Sequence, residues 1–351
     1  MVTNGQDSKP PYVVPTMDEV QGIPFSGYRA ASTFSGCGGS SLGYRLAGFS
    51  VDWASEFIPA AAEVYKLNHS GHLDERDIRD VTPSDVLDVL GMQSGDLDLL
   101  DGSPPCAAFS TAGRREAGWD TIRKYSDTKQ RVDDLFFEYA RLVRGLQPKV
   151  FVAENVAGLV KGKAKGYFKW ILKELKDCGY SVEAKVLDAQ WLGVPQSRSR
   201  LIFQGIRNDL NVPHQWPKPF SYQYTLAEAI DLSDECVGRS LAPSAIKQWE
   251  FLKLGEQSSK YFNCIKAHPD RVCPCICQTH GGSGTASPLH PYQPRKFSIE
   301  ELRRICSFPE DFKLTGKFEK QWERLGRAGP PLMMKQVALC ARNILDAAKG
   351  K

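Results

Sequence analysis

From Tyr28 to Ile206, short apolar runs alternate with stretches of helical spacing. Tyr28 to Phe34 and Val51 to Glu56 read as strands, and Pro59 to Asn68 as a helix opened by a proline that fits the first helical position. Leu97 to Leu100 is an apolar run between acidic residues, the pattern of a buried strand, and Leu135, Phe136, Tyr139 and Leu142 mark a helix over Asp134 to Val143. Val150 to Ala153 predicts a strand, Tyr167 to Leu175 an amphipathic helix, and Val182 to Leu187 and Leu201 to Ile206 two more strands. Strands and helices alternating at this interval predict an α/β fold with a doubly wound, mostly parallel sheet. Ligands of such sheets bind at the carboxyl ends of the strands. Residues 1–27, polar and rich in proline, read as an N-terminal arm or surface strap, and 28–210 as the first part of the main domain. Over 211–290 the alternation gives way to prolines, short apolar runs and Gly281-Gly282-Ser283-Gly284, which predicts a smaller inserted domain of loops and short strands. Helical character returns within 291–351, at Ser298 to Cys306 and Met334 to Ala348.

Composition adds little to this picture but excludes much. With 42% hydrophobic and 25% charged residues among 351, the chain is neither disordered nor fibrous. It contains no apolar run long enough to span a membrane, and Met1 to Lys9 lacks the order of a signal peptide. A cytoplasmic protein with no membrane partner is expected. Lys and Arg number 45 against 41 Asp and Glu, a net +4 that is too mild to announce a nucleic-acid binder. Ten cysteines in such a chain predict thiols rather than disulfides.

Four segments carry candidate chemistry. Ser35-Gly36-Cys37-Gly38-Gly39 follows the first strand, and its glycines allow close approach of a ligand. It matches neither the dinucleotide fingerprint nor the Walker loop. Glu56, ending the next strand, is placed to accept hydrogen bonds from ribose hydroxyls. Pro104-Pro105 fixes a rigid turn that presents Cys106 after a strand, against the commoner fate of a cysteine as a small buried hydrophobe. Glu154-Asn155-Val156 follows another strand, and Gln196-Ser197-Arg198-Ser199-Arg200 sets two guanidiniums on one face. A tight turn, a helix cap and solvated charges are the plain readings of these features taken singly.

Taken in order they resemble the DNA (cytosine-5) methyltransferase family. Its hallmarks stand here as Phe34-Ser35-Gly36-Cys37-Gly38-Gly39, Pro104-Pro105-Cys106, Glu154-Asn155-Val156, Gln196-Ser197-Arg198-Ser199-Arg200 and Gly326-Arg327-Ala328-Gly329-Pro330-Pro331. Arg295-Lys296-Phe297-Ser298 with Glu301, then Phe308-Pro309, resembles a further family motif. The match runs from about residue 30 to 345.

The resemblance implies a Rossmann-like methyltransferase sheet with an inserted target recognition domain at 211–290. It implies S-adenosylmethionine as cofactor, held by Phe34, Ser35, Gly36, Gly38, Gly39, Glu56, Asp77, Ile78, Pro104 and Arg327. Cys106 becomes the nucleophile toward carbon 6 of cytosine, Glu154 holds or protonates ring nitrogen 3, and Arg198 helps fix the base. Ala107 to about Lys129 becomes a mobile loop closing over a flipped cytosine. Double-stranded DNA is the implied partner, with a cognate restriction endonuclease in a restriction-modification setting, and the enzyme is expected to be a monomer. The small net charge then averages an acidic cofactor domain against a basic cleft. Two departures stand out: Ala107 replaces the family's glutamine, and Arg327 its asparagine. Arginine beside a sulfonium is a like-charge contact, relieved if Arg327 swings outward to phosphate or a nearby carboxylate, or if the cofactor is the anionic carboxy-S-adenosylmethionine and the product 5-carboxymethylcytosine. A tRNA cytosine-5 methyltransferase is a further alternative, although the Cys-Phe-Thr of that subfamily is absent. Cys273, Cys275, Cys277 and His280 invite a zinc reading, but their spacing is not that of paired ligands, and three thiols on one face of a strand suit packing equally. No metal ligand is assigned.

Overall fold

The structure is a computed structural model describing residues 9–105, 123–125, 128–130, 135–161, 164–233 and 238–350. A short helix α1 (Met17–Gln21) leads into β1 (Arg29–Thr33), α2 (Gly39–Leu46), β2 (Ser50–Ser55), α3 (Pro59–Asn68) and β3 (His72–Asp74). Then come α4 (Pro83–Leu90), β4 (Leu99–Gly102), the small ribbon β5 (Arg123–Tyr125) with β6 (Thr128–Gln130), α5 (Leu135–Leu146) and β7 (Val150–Val156). The first part closes with α6 (Lys165–Asp177), β8 (Tyr180–Asp188) and β9 (Ser199–Arg207).

Seven strands make one sheet in the order β3-β2-β1-β4-β7-β9-β8. The five from β3 to β7 are parallel, whereas β9 runs antiparallel to both β7 and β8. The expected parallel series thus ends in an antiparallel pair. The cause is the link 189–198, shorter than the dozen or so residues that a parallel crossover needs.

Alternate strand residues feed two cores. Ala31, Leu100, Phe151 and Ala153 face α4, α5 and α6, whereas Ala30, Leu99, Val150 and Val152 face α2 and the C-terminal helix. In β2 both Val51 and Trp53 would share a face, but the register slips there: Ala30 pairs with Val51 and Ala31 with Trp53. The extra residue turns Trp53 into the first core.

The returning segment holds α9 (Ile299–Ile305), α10 (Phe318–Arg327) and α11 (Pro331–Lys349), preceded over 211–290 by α7 (Leu226–Ala229), α8 (Pro243–Phe251) and the two-residue parallel pair β10 (Ile265–Lys266) and β11 (Pro288–Leu289). Helix α11 lies against α2 so closely that a Cβ on Gly43 would stand 2.5 Å from Met334 Cβ. Leu241, Ala245, Leu252, Cys264 and Leu289 form a small core of their own. Tyr224, Leu226, Cys273 and Ile276 instead share a core with Phe297, Leu302, Phe308 and Trp322. Cys273 to Cys277 is not the strand expected of it; only an isolated bridge to Gln196 forms there. The described part of the N-terminal arm is a strap: Tyr12, Met17 and Val20 are buried, and Tyr12 OH donates to Arg304 O at 2.6 Å. Among the described residues no helix is long and apolar enough to cross a membrane.

The start of α9 explains one sequence motif. Ser298 Oγ accepts from Glu301 N at 3.1 Å and Glu301 Oε2 accepts from Ser298 N at 2.7 Å, a capping box. Arg295 grips the same carboxylate with both Nη atoms, at 2.7 and 2.8 Å, in a buried, bidentate pair. Removing one partner strands the other without a counter-charge. Arg295→Leu should therefore lower the unfolding free energy by about 3–5 kcal/mol, read from the midpoint of urea unfolding.

Candidate active site

The glycine loop caps the carboxyl end of β1. Phe34 has φ 53°, a left-handed conformation that a bulky side chain adopts only where its surroundings impose it. Gly38 has φ 90° and lies against α3's end: a Cβ there would stand 2.1 Å from His69 Nε2. Both oxygens of buried Glu56 accept backbone N–H bonds at 2.7 Å, one from Gly36 and one from Ile58. Burial raises its pKa while those bonds, Arg327 and Arg324 draw it back. A carboxylate has about four lone-pair positions, so each Glu56 oxygen keeps room for a further donor such as a ribose hydroxyl. Ser35 Oγ donates to Ser32 O at 3.0 Å, which ties the loop to its strand. Asp77 caps a short 3₁₀ turn over Ile78–Asp80 and pairs with Arg79 at 3.0 Å, while Ile78 is buried in the core beside Val81.

The second half of the site lies where β4 and β7 end. Gly102 pairs with Ala153, so the Pro104-Pro105 turn runs beside the last residues of β7. Asn155 Nδ2 donates to Pro104 O at 3.2 Å, two residues before Cys106. Cys106 lies outside the described residues, as does most of the loop expected at Ala107 to Lys129. Strand β7 is longer than its apolar run: it continues through Glu154, Asn155 and Val156, because β9 pairs with it that far. Glu154 is thus on the strand rather than after it.

The two arginines separate. Val156 pairs with Arg200 in the antiparallel register, and Arg200 Nε meets Glu154 Oε1 at 2.5 Å. Arg198, expected to fix the base, does not meet Glu154. Its Nη1 donates to Ile276 O at 2.8 Å, and its Nη2 faces the carbonyls of Gly326, Arg327 and Ala328 at 3.0–3.2 Å. It stands before β9 begins, so the strand periodicity assumed for the pair does not apply to it.

Arg327 turns to a carboxylate: its Nη2 donates to Glu323 Oε1 at 2.8 Å, one helical turn back. Cys275 and Cys277 lie beside Arg198 and Arg200 with sulfurs 4.0 Å apart. A hydrogen bond with Cys277 and the two guanidiniums lower the pKa of Cys275, whereas that of Cys277 is raised. Among the described residues no three His, Cys, Asp or Glu side chains converge as a metal site.

Seen together, these groups line the carboxyl ends of β1, β2, β4 and β7: a cradle of backbone N–H and a carboxylate, next to a rigid turn and a carboxylate–guanidinium pair. The profile of the C-5 cytosine-specific DNA methylase family matches residues 28–235, and the chain belongs to this family, the DNA (cytosine-5-)methyltransferases. Among similar curated proteins are Type II methyltransferase M.MthTI of Methanothermobacter thermautotrophicus, 31% identical over 80% of this chain and 87% of the relative, and M.NgoPII of Neisseria gonorrhoeae, 29% identical over 90% and 95%. Among solved structures, a DNA modification methyltransferase encoded within an E. coli prophage shares the fold with TM-score 0.73 and 18% identity over 91% of this chain and all of that one. Dnmt2 of S. pombe shares it with TM-score 0.65 and 19% identity over 91% and 98%.

One buried acid had no role in the sequence reading. Asp101, in β4, accepts from Ser32 Oγ at 2.9 Å and Tyr44 OH at 3.0 Å. Burial dominates those bonds, and its pKa is pushed up from 3.8 to about 7, Glu154's charge adding to the rise. Between about pH 4 and 7 the folded chain therefore keeps a proton that the unfolded chain has released, so stability falls as pH rises through that window. Urea unfolding at pH 5 and pH 8 should show this slope, up to about 4 kcal/mol over the full shift, and Asp101→Asn should flatten it.

Proposed function

We propose that this enzyme transfers a methyl group from S-adenosylmethionine to carbon 5 of a flipped cytosine in double-stranded DNA through a Cys106 adduct. The observation that carries the reading is the Glu154–Arg200 pair standing beside the Pro104-Pro105 turn that leads into Cys106. The glycine loop and Glu56 suit the cofactor: N–H groups, space where side chains are excluded, and a carboxylate with free lone pairs. When bound there, S-adenosylmethionine supplies the methyl group as a good electrophile.

Carbon 5 of cytosine is too weak a nucleophile by itself. The thiolate of Cys106 adds to carbon 6, forming a C–S bond, and the ring's electrons move toward nitrogen 3. Glu154 holds or protonates that nitrogen, so charge does not accumulate as the adduct forms. Arg200, not Arg198, is the guanidinium that fixes Glu154 and the base. Carbon 5, now enamine-like, takes the methyl group; a base then removes its proton and the thiolate leaves. Residues 211–290 act as the target recognition domain. The family's restriction-modification setting implies a cognate endonuclease, and a monomer working in the cytoplasm suffices for the chemistry.

A second reading follows from Arg327, whose charge reaches Glu56. The same scaffold accepts carboxy-S-adenosylmethionine if its carboxylate displaces Glu323 from Arg327. The existing Arg327–Glu323 bond favours ordinary methyl transfer.

Nucleoside mass spectrometry after incubation of DNA or tRNA with each cofactor tests these readings. The expected product is 5-methylcytosine in DNA. 5-Carboxymethylcytosine would establish the second reading, modification of tRNA alone would overturn the DNA assignment, and failure to trap Cys106 on 5-fluorocytosine DNA would overturn the adduct.

The two arginines should separate in the same assay. Arg200→Ala should remain folded and lose at least about 100-fold in kcat. Arg198→Ala should instead lose about 3 kcal/mol of stability, because four carbonyls lose their donor.

A further inference from the structure

Arg324 lies in the last turn of α10, only 3% exposed. Neither Nη1 nor Nη2 finds a hydrogen-bond partner among the described residues. Glu323 Oε1 stands 3.7 Å from Nη1, outside hydrogen-bond range, and that oxygen already takes Arg327 Nη2 at 2.8 Å. A guanidinium taken out of water with no acceptor is strongly disfavoured unless something else supplies one.

The surroundings point to what supplies it. Cys37, in the glycine loop, donates its thiol to Arg324 O at 3.6 Å, so the last turn of α10 is fastened to that loop. The chain leaving α10 continues the contact: a Cβ on Gly39 would stand 2.3 Å from Gly329 O. Arg324's charge reaches both Glu56 and Cys37. The last turn of α10, which carries Arg324, therefore packs against the loop that forms the cradle with Glu56.

We propose that Arg324 grips the α-carboxylate of the cofactor's amino-acid arm. The inference rests on S-adenosylmethionine occupying this cradle. Glu56 suits the ribose hydroxyls at one end, and a planar fork of donors matches a carboxylate at the other. Arg327, held by Glu323, is a supporting charge rather than the gripping one. Arg324 thus sets specificity for cofactors that carry the carboxylate.

S-adenosylmethionine and decarboxylated S-adenosylmethionine differ by that group alone, so calorimetric titration of the full-length protein with each isolates it. The wild type should bind the carboxylate form at least tenfold more tightly. Arg324→Gln should reduce the preference to within threefold while leaving affinity for the decarboxylated form unchanged, and Arg324→Lys should keep part of it. An Arg324→Gln protein that retains the full preference, or that loses both ligands equally, would overturn the proposal. Wild-type protein that binds neither ligand would overturn the cofactor reading and this inference with it; wild type that binds both equally would overturn the inference alone.

Discussion

Arg198 holds the two ends of the chain's catalytic scaffold together. Its guanidinium sits at the carboxyl end of α10, where helix carbonyls have no intrahelical partner and the helix dipole favours a cation. It reaches that end from the residue just before β9 and also holds Ile276 O, from the segment between. Three stretches distant in sequence therefore converge on one positive charge. With α10 fixed there, its last turn presses on the glycine loop, and β9 enters the sheet in the register that brings Arg200 to Glu154.

That arrangement clarifies what could and could not be seen in the sequence. The glycine loop, Glu56, Pro104 and the arginine motif were legible because each follows or opens a strand, and Glu154 because it stands near the end of one; strand ends meet in a doubly wound sheet. The division of labour between Arg198 and Arg200 was not. Spacing of two residues puts side chains on one face only inside a strand, and the strand begins at Ser199. Likewise the apolar run Val150 to Ala153 marks where β7 is buried, but pairing with β9 decides where it ends. Helix α10 was missed although it is strongly amphipathic, since a segment rich in charge reads as surface until Trp322 and Leu325 are seen in the core. The Cys273 to Cys277 stretch failed for the opposite reason: its alternation imitates a strand, yet no neighbouring strand offers it a ladder.

Charge in the cradle is where sequence and structure differ most usefully. The sequence drew attention to Arg327 because it replaces a neutral residue beside an expected sulfonium. A lone arginine there would repel the cofactor. In the folded chain the repulsion is already moderated: Glu323 takes Arg327's charge, and Glu56 stands within reach of both arginines. Two carboxylates and two guanidiniums balance formally, but not geometrically. Hydrogen bonding pairs Arg327 with Glu323, Glu56 is engaged with backbone N–H groups, and neither Nη of Arg324 finds a hydrogen-bond partner among the described residues. A buried site neutral in sum yet uneven in position favours a ligand that is itself polarised, with a cationic centre toward the carboxylates and a carboxylate toward the unmet guanidinium. The unusual residue in the motif is thus the one whose charge is already answered, and the recognition it suggested falls to the neighbour three positions earlier.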